Sequence, residues 1–342
     1  MRVAVLLGGI SPERNISLLS GRWVTAALRE RGHQVLPLDP ARGAHALLSN
    51  AELENLSSHL PSEEELRAFS PWALAECISS PLLDDVDVVF PVLHGPYGED
   101  GRLQVLLELR GIPHVGSTST ASAVAADKHL AKLLFVAAGI PTPRWIALAP
   151  EQLQQPGILE DIRSELGSHL VVKPNDQGST VGTTFLHDPT EEELEAALQH
   201  AARYSDLVIV ERYIEGRELT VAILGEEALP IVEILPGSGV YDYEHKYTPG
   251  KTRYICPAEL PEDIAEFTQN LALSAHRIIG CRHFSRVDFR LDADGQPFCL
   301  ELNTIPGMTS MSLVPRAAQA AGIEFPELCE RLVQMALEDS RR

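Results

Sequence analysis

The sequence predicts a small α/β N-terminal domain on a parallel sheet, followed by a two-part α+β region with antiparallel sheets. Two patterns carry that expectation. Near the N-terminus an aliphatic run, a helical segment and a second aliphatic run follow one another as βαβ, the unit from which parallel sheets are built. From Glu218 onward the strands "ELTVAIL", "LPIVEIL", "SRVDFRL" and "PFCLEL" come in succession with a single helix near 261–279, which suits hairpins and antiparallel pairing.

"RVAVLL" is the first buried strand, and Gly8-Gly9 ends it. Ser11 stands where an N-cap belongs and Pro12 where a first helical residue belongs, with Ile16, Leu19, Trp23 and Ala26 or Ala27 spaced as an apolar face and Gly32 as the stop. "HQVLPL" and "VDVVFPVL" complete the parallel sheet, the latter running into "HGPYGEDG", so strand ends deliver loops to one edge, where such sheets bind ligands. Residues 41–80 are polar and helix-prone without a core stripe, and read as a peripheral insertion. "STASAVAADKHLAKLLFVAAG" reads as one helix closed by Gly139. Next come "HLVVKP", the loop "NDQGSTVG", the strand "TTFL", a helix opened by the capping box Thr190 to Glu193, and the strand "DLVIVERYI". The expected division is 1–118, 119–211 and 212–342.

At 342 residues, 44% apolar, the chain is long enough for several cores. A net charge of −20 argues against nucleic acid or an anionic membrane as a partner, since both reward basic surfaces. The five cysteines are widely spaced, odd in number and without a C-x-x-C pair, so thiols in a reducing cytoplasm are expected rather than a disulfide framework or zinc. The N-terminal apolar run is too short for a membrane span and lacks a cleavage site.

"SRVDFRLDADGQPFCLELNT" is a hairpin around Asp294-Gly295. Symmetric closure sets Asp288 opposite Cys299 and Arg286 opposite Glu301, with Arg286, Asp288, Glu301 and Asn303 on one face. Two carboxylates and an amide are hard oxygen ligands that suit Mg²⁺ together with phosphate; the alternative is an exposed polar sheet face. "VVKPNDQGSTVG" ends a strand at Lys173 and opens a loop of Gly178, Ser179, Thr180 and Gly182 whose N–H groups can wrap phosphate, with Lys128 and Lys246 as further cations, although it is not a Walker A sequence. Glu211 and Glu218 can accept from an adenine amine and ribose hydroxyls, or are surface charges. Glu13 and His94 follow strand ends, where they can hold a substrate ammonium or carboxylate or be structural; only the resemblance given below singles them out. Gly307 permits close approach to a ligand, and Ser312 either contacts a carboxylate or caps a helix. Four of the seven tyrosines crowd into "YDYEHKYTPGKTRY", which reads as a lid loop over charged ligands.

Taken together, "GGISPERNISLLSG", "HGPYGEDG", "VKPNDQGSTVG", "YDYEHKY", "RVDF" and "ELNTIPGMTSMS" resemble, in order and over nearly the whole chain, the D-alanine–D-alanine ligases of the ATP-grasp superfamily. The resemblance implies ATP-driven joining of two D-alanines through a D-alanyl phosphate for peptidoglycan synthesis, in a cytoplasmic homodimer. It implies that Glu13 holds the first ammonium, that Lys128, Lys173 and Lys246 contact phosphates, and that Glu211 and Glu218 contact adenine and ribose. Asp288, Glu301 and Asn303 would hold two Mg²⁺ ions, with Mn²⁺ as a substitute. Arg286 and the Gly307 amide would stabilise the oxyanion, Ser312 would receive the second carboxylate, and Ser179, Tyr247 and Glu13 would tie the lid to the first domain. Ile10 and Val105 depart from the family pattern at positions without an assigned role. Rival readings are a D-alanine–D-lactate or D-alanine–D-serine ligase, which Tyr247 in place of histidine disfavours, and a nucleotide sensor, which the complete ligand set disfavours.

Overall fold

The computed structural model describes residues 1–56, 61–153, 155–236 and 252–341. Strands β1 (Arg2–Leu6), β2 (Gln34–Leu38) and β3 (Val88–Pro91) form the expected parallel sheet in the order β2-β1-β3. A second, antiparallel sheet has the order β4-β7-β5-β6, from β4 (Trp145–Leu148), β5 (His169–Pro174), β6 (Thr184–His187) and β7 (Val208–Arg212). In the third, β11-β10-β8-β12-β13, the strands are β8 (Arg217–Leu224), β10 (Val232–Pro236), β11 (Thr252–Ile255), β12 (Phe284–Leu291) and β13 (Pro297–Asn303); β9 (Glu227–Ala228) pairs with β8. No helix among the described residues is long and apolar enough to cross a membrane. All five cysteines are free thiols.

Helix α1 (Arg14–Glu30) begins later than its sequence signals suggest, and Ser11 does not cap it. The Ser11 hydroxyl instead donates to the His94 carbonyl at 2.6 Å, joining the loop after β1 to the loop after β3. The buried face of α1 also differs from the expected one: Trp23 and Ala26 are exposed, while Ser17, Ser20, Gly21, Val24, Ala27 and Leu28 are buried. The helix lies so close to β1 that a Cβ on Gly21 would sit 2.3 Å from Leu7 Cβ. Small residues make that approach possible, and the serines satisfy strand-end groups, Gly8 N–H donating to Ser17 Oγ at 2.8 Å and Ser17 Oγ donating to the Val92 carbonyl at 2.6 Å.

The insertion holds the short helices α2 (Asn50–Glu54) and α3 (Glu63–Ala68), then α4 (Trp72–Ser79). It does have a core stripe, because Leu74, Cys77 and Ile78 of α4 are buried with Leu6 and Leu38 of the parallel sheet. After α5 (Arg102–Arg110), the predicted single helix over 119–139 is two helices, α6 (Ser119–Ala126) and α7 (Lys128–Ala137). Asp127 is extended (φ −84°, ψ 99°) and its carboxylate accepts from Leu130 N–H at 2.9 Å, so it caps α7 and makes Lys128 the first residue of that helix. Gly139 follows at φ 72°, as expected of a helix stop.

Helices α8 (Ile158–Leu166) and α9 (Glu191–Ala201) pack on the second sheet, and the Thr190–Glu193 capping box is formed. The third sheet has a cover on both faces. On one, α6, α7 and α10 (Glu262–Ile279) bury Ala125, Phe135 and Leu271 against Val221, Val287 and Phe289. On the other, α11 (Leu313–Ala320) and α12 (Phe325–Asp339) bury Val314, Leu328 and Leu332 in a core that also contains Val3, Val5, Leu7, Ala222 and Phe284, so the C-terminal helices join the first sheet to the third. Each fully buried Leu or Phe there contributes about 2–3 kcal/mol.

Candidate active site

The β12–β13 hairpin closes differently from the symmetric register. Phe289 pairs with Cys299, Asp288 with Glu301 and Arg286 with Asn303, leaving Leu300 as the extra residue of a β-bulge. Arg286, Asp288, Glu301 and Asn303 share one face as expected, but the bulge sets the two carboxylates directly opposite, where Cβ atoms lie about 5 Å apart. It also turns Leu300 and Glu301 to the same side, into a cleft of about 880 Å³ between the second and third sheets.

That cleft gathers Lys128, Lys173, Gly178, Ser179, Thr180, Glu211, Glu218 and Glu301 of the sequence-derived residues. Lys128, placed by the break at Asp127, donates to the Gln177 carbonyl at 2.6 Å and lies 3.5 Å from Glu301. Ser179 and Thr180 both adopt left-handed backbone (φ 50° and 65°), which is uncommon away from glycine and curls the loop over the cleft. Ser179 Oγ donates a very short hydrogen bond to Glu13, linking this loop to the first domain. Asp288 accepts from Arg286 Nη2 at 2.8 Å and from Thr220 Oγ1 at 2.5 Å, while Asn303 Oδ1 accepts from Ile305 N–H at 2.9 Å.

His94, Gly307 and Ser312 are not in the cleft lining, and neither are Glu13, Arg286, Asp288 and Asn303. His94 is buried, its Nδ1 3.1 Å from the Ile305 carbonyl and its Nε2 3.3 Å from Ser20 Oγ. Burial works against its charge, but Glu99 at 3.8 Å and Glu13 raise its pKa above the usual value. A Cβ on Gly307 would meet Ser312 Oγ at 2.9 Å, so a side chain there would displace that hydroxyl. Ser312 occupies the N-cap position of α11 without capping it, its hydroxyl instead lying 2.8 Å from Thr309 Oγ1. Lys246 and Tyr247 lie outside the described residues, as does the expected lid through residue 251; its last residues, Thr252, Arg253 and Tyr254, are not loop but part of β11, paired with β10.

Three groups in or behind the cleft were not singled out in the sequence. The walls include the apolar side chains of Val171, Phe185 and Leu300. Arg290, two residues beyond Asp288 on the same face of β12, donates to the Ile214 carbonyl and to Tyr213 Oη, each at 3.0 Å, and lies 3.5 Å from Glu218. Lys132, fully buried, lies 3.0 Å from Glu211, whose other oxygen accepts from Lys173 at 2.6 Å. Its i, i+4 spacing from Lys128 on one helix face was the available signal. Glu211 is therefore not a surface charge: burial pushes its pKa up, but the two lysines prevail and hold it below normal. Burial likewise draws the Lys132 pKa down, against the pull of Glu211.

The description "D-ala D-ala ligase N-terminus" matches residues 2–117, and "D-ala D-ala ligase C-terminus" matches residues 134–334. A D-alanine–D-alanine ligase of Alkalilimnicola ehrlichii is 45% identical over 341 residues, covering 100% of this chain and 95% of the relative. That of Moorella thermoacetica is 41% identical over 343 residues, covering 99% and 100%. The crystal structure of a D-alanine–D-alanine ligase from Bacillus anthracis superposes with a TM-score of 0.79 at 30% identity, covering 100% of this chain and 99% of that one. The Bacillus anthracis ligase complexed with ATP gives 0.77 at 30% identity, covering 100% and 98%. The chain belongs to the D-alanine–D-alanine ligase family of ATP-grasp enzymes.

Proposed function

We propose that this ATP-dependent ligase joins two D-alanines into D-alanyl-D-alanine, for peptidoglycan synthesis, through a D-alanyl phosphate, with the cleft residues in the following roles. The observation that carries the reading is the bulged register that sets Asp288 opposite Glu301 beside Lys128, at the mouth of a cleft with apolar walls. Asp288, Glu301 and the Asn303 amide offer only hard oxygen donors, a set that fits Mg²⁺, two ions in our reading, with Mn²⁺ as a substitute. When bound, such ions neutralise charge on the triphosphate.

A carboxylate is a poor electrophile. Transfer of the γ-phosphate of ATP to a carboxylate oxygen of the first D-alanine releases ADP and gives an acyl phosphate with a good leaving group. Glu13 holds the ammonium of that D-alanine, beside His94. Lys128, Lys173 and, from the lid, Lys246 bind phosphate oxygens with the Gly178–Thr180 loop, while Glu211 accepts from the adenine amine and Glu218 from ribose. The amine of the second D-alanine, whose carboxylate is received at Ser312, attacks the acyl carbon. Arg286 and the Gly307 N–H stabilise the tetrahedral oxyanion, and its collapse expels phosphate. Closure of the lid by Tyr247 onto the Ser179–Glu13 pair excludes water, which would hydrolyse the acyl phosphate.

The division is 1–118, 119–211 and 212–342; three separate sheets support it, although Arg212 still belongs to β7 of the second sheet and α6 and α7 of the middle part lie on the third. A cytoplasmic homodimer acting on D-alanine and ATP, without nucleic acid or membrane as partner, completes the reading. The test is phosphate release from ATP with D-alanine, with D-alanine plus D-lactate, and with neither, the products being identified by mass. D-alanine-dependent release with formation of the dipeptide is expected, and its absence refutes the reading.

A further inference from the structure

Glu211 is the one carboxylate in the cleft wall that is almost wholly buried, at 3% exposure among the described residues. Its Oε1 accepts from Lys173, but its Oε2, ion-paired with Lys132 Nζ at 3.0 Å, has no hydrogen-bond partner among the described residues. A buried carboxylate oxygen in that state has acceptor capacity to offer a ligand.

Lys132 approaches from behind, at 0% exposure and outside the cleft lining. Its ammonium is fixed by donation to Thr142 Oγ1 at 2.7 Å, and that hydroxyl donates to the Cys299 carbonyl at 2.8 Å; the Trp145 ring centroid is 5.2 Å away. The cluster thus holds two ammonium groups to one carboxylate. Lys173 lines the cleft, where the proposed function assigns it to phosphate, whereas Lys132 lies behind the wall and is the partner of Glu211 that no ligand in the cleft competes for. An ionised carboxylate is acceptor-only: it takes an N–H donor and repels a carbonyl oxygen.

We propose that Lys132 is a positioning residue for nucleotide choice, which holds Glu211 ionised and oriented so that the cleft takes a 6-aminopurine triphosphate over a 6-oxopurine one. This rests on the reading of the cleft as the nucleotide site with Glu211 at the base. The test is kcat and KM for ATP and for inosine triphosphate, with D-alanine, in the wild type and in Lys132→Met. The wild type favours ATP. In Lys132→Met the ATP-to-inosine-triphosphate ratio of kcat/KM falls roughly tenfold or more, through KM for ATP, with kcat at saturating ATP within about threefold. A parallel loss with both nucleotides, leaving the ratio unmoved, indicates packing alone and overturns the proposal. Lys132→Gln, which keeps a polar side chain of similar length, carries the same expectation if Lys132→Met does not fold. A wild type that makes no dipeptide refutes the assigned reaction instead, so the two failures are distinct.

Discussion

Acidification should destabilise the fold through His283, which joins three parts of the chain. Its Nδ1 accepts from Gly116 N–H at 2.9 Å, so its proton resides on Nε2, which faces the Asp339 carboxylate of α12 at 3.1 Å. A second proton would have to sit on Nδ1, facing an N–H. Burial, followed by the nearby Arg282 charge, pushes its pKa from 6.5 down to about 4, against the pull of Asp339. Because the folded pKa lies below the unfolded one, the unfolded chain binds more protons between these values. Stability is complete above pH 6.5 and falls as the pH drops toward 4, by about 2 kcal/mol between pH 7 and pH 5 and about 3 kcal/mol in full. His276, which faces Ser285 Oγ at 2.7 Å and is also lowered to about 4, adds a similar loss. His94, with its raised pKa, works in the opposite sense. The assay is therefore a comparison: urea unfolding of the wild type and of His283→Asn, whose amide oxygen can still accept from Gly116 N–H and which does not titrate, at pH 7 and pH 5. The wild type should lose about 2 kcal/mol more than the variant across that interval. Equal losses, or a folded His283 that titrates near 6.5 by NMR, would refute the reasoning.

Three further outcomes are expected. Glu301→Gln should lower kcat by roughly a hundredfold or more with an unchanged circular dichroism spectrum, since it removes a charge from the proposed phosphate site without opening the core. Ser179→Ala deletes the donor to Glu13 and should raise KM for D-alanine about tenfold, measured by initial rates, the size of a hydrogen bond to a charged group. Gly21→Ala drives a methyl to within 2.3 Å of Leu7 Cβ and should cost roughly 1–3 kcal/mol, visible as a lower unfolding midpoint with D-alanine affinity retained.

The parallel start, the capping box at Thr190 and the strand succession after Glu218 were legible because each is a local signal of period, cap or turn. The face of α1 was not, because the contact is made by Ser17, Ser20 and Gly21, whose burial comes from closeness to β1 rather than from apolarity. The break at Asp127 interrupts a strongly helical composition with one side-chain cap, too small a cue to outweigh the propensity around it. At the site, residue types were legible and their pairing was not: a bulge without glycine leaves no mark in the sequence, so Asp288 and Glu301 were expected diagonally and stand opposite. The buried state of Glu211 depends on Lys132, 79 positions away and on another element, a partnership that only tertiary packing reveals.

Leu300 divides β13 into two halves of opposite phase. Before it, the odd-numbered residues Pro297 and Cys299 face the core; after it, the odd-numbered Glu301 and Asn303 face outward. The core near the turn can keep its own alternation while the carboxylates keep theirs. Straightening the bulge with its extra residue kept would carry Glu301 toward the core, whereas deleting residue 300 would leave Glu301 outward in the place of Leu300, within an unbroken alternation.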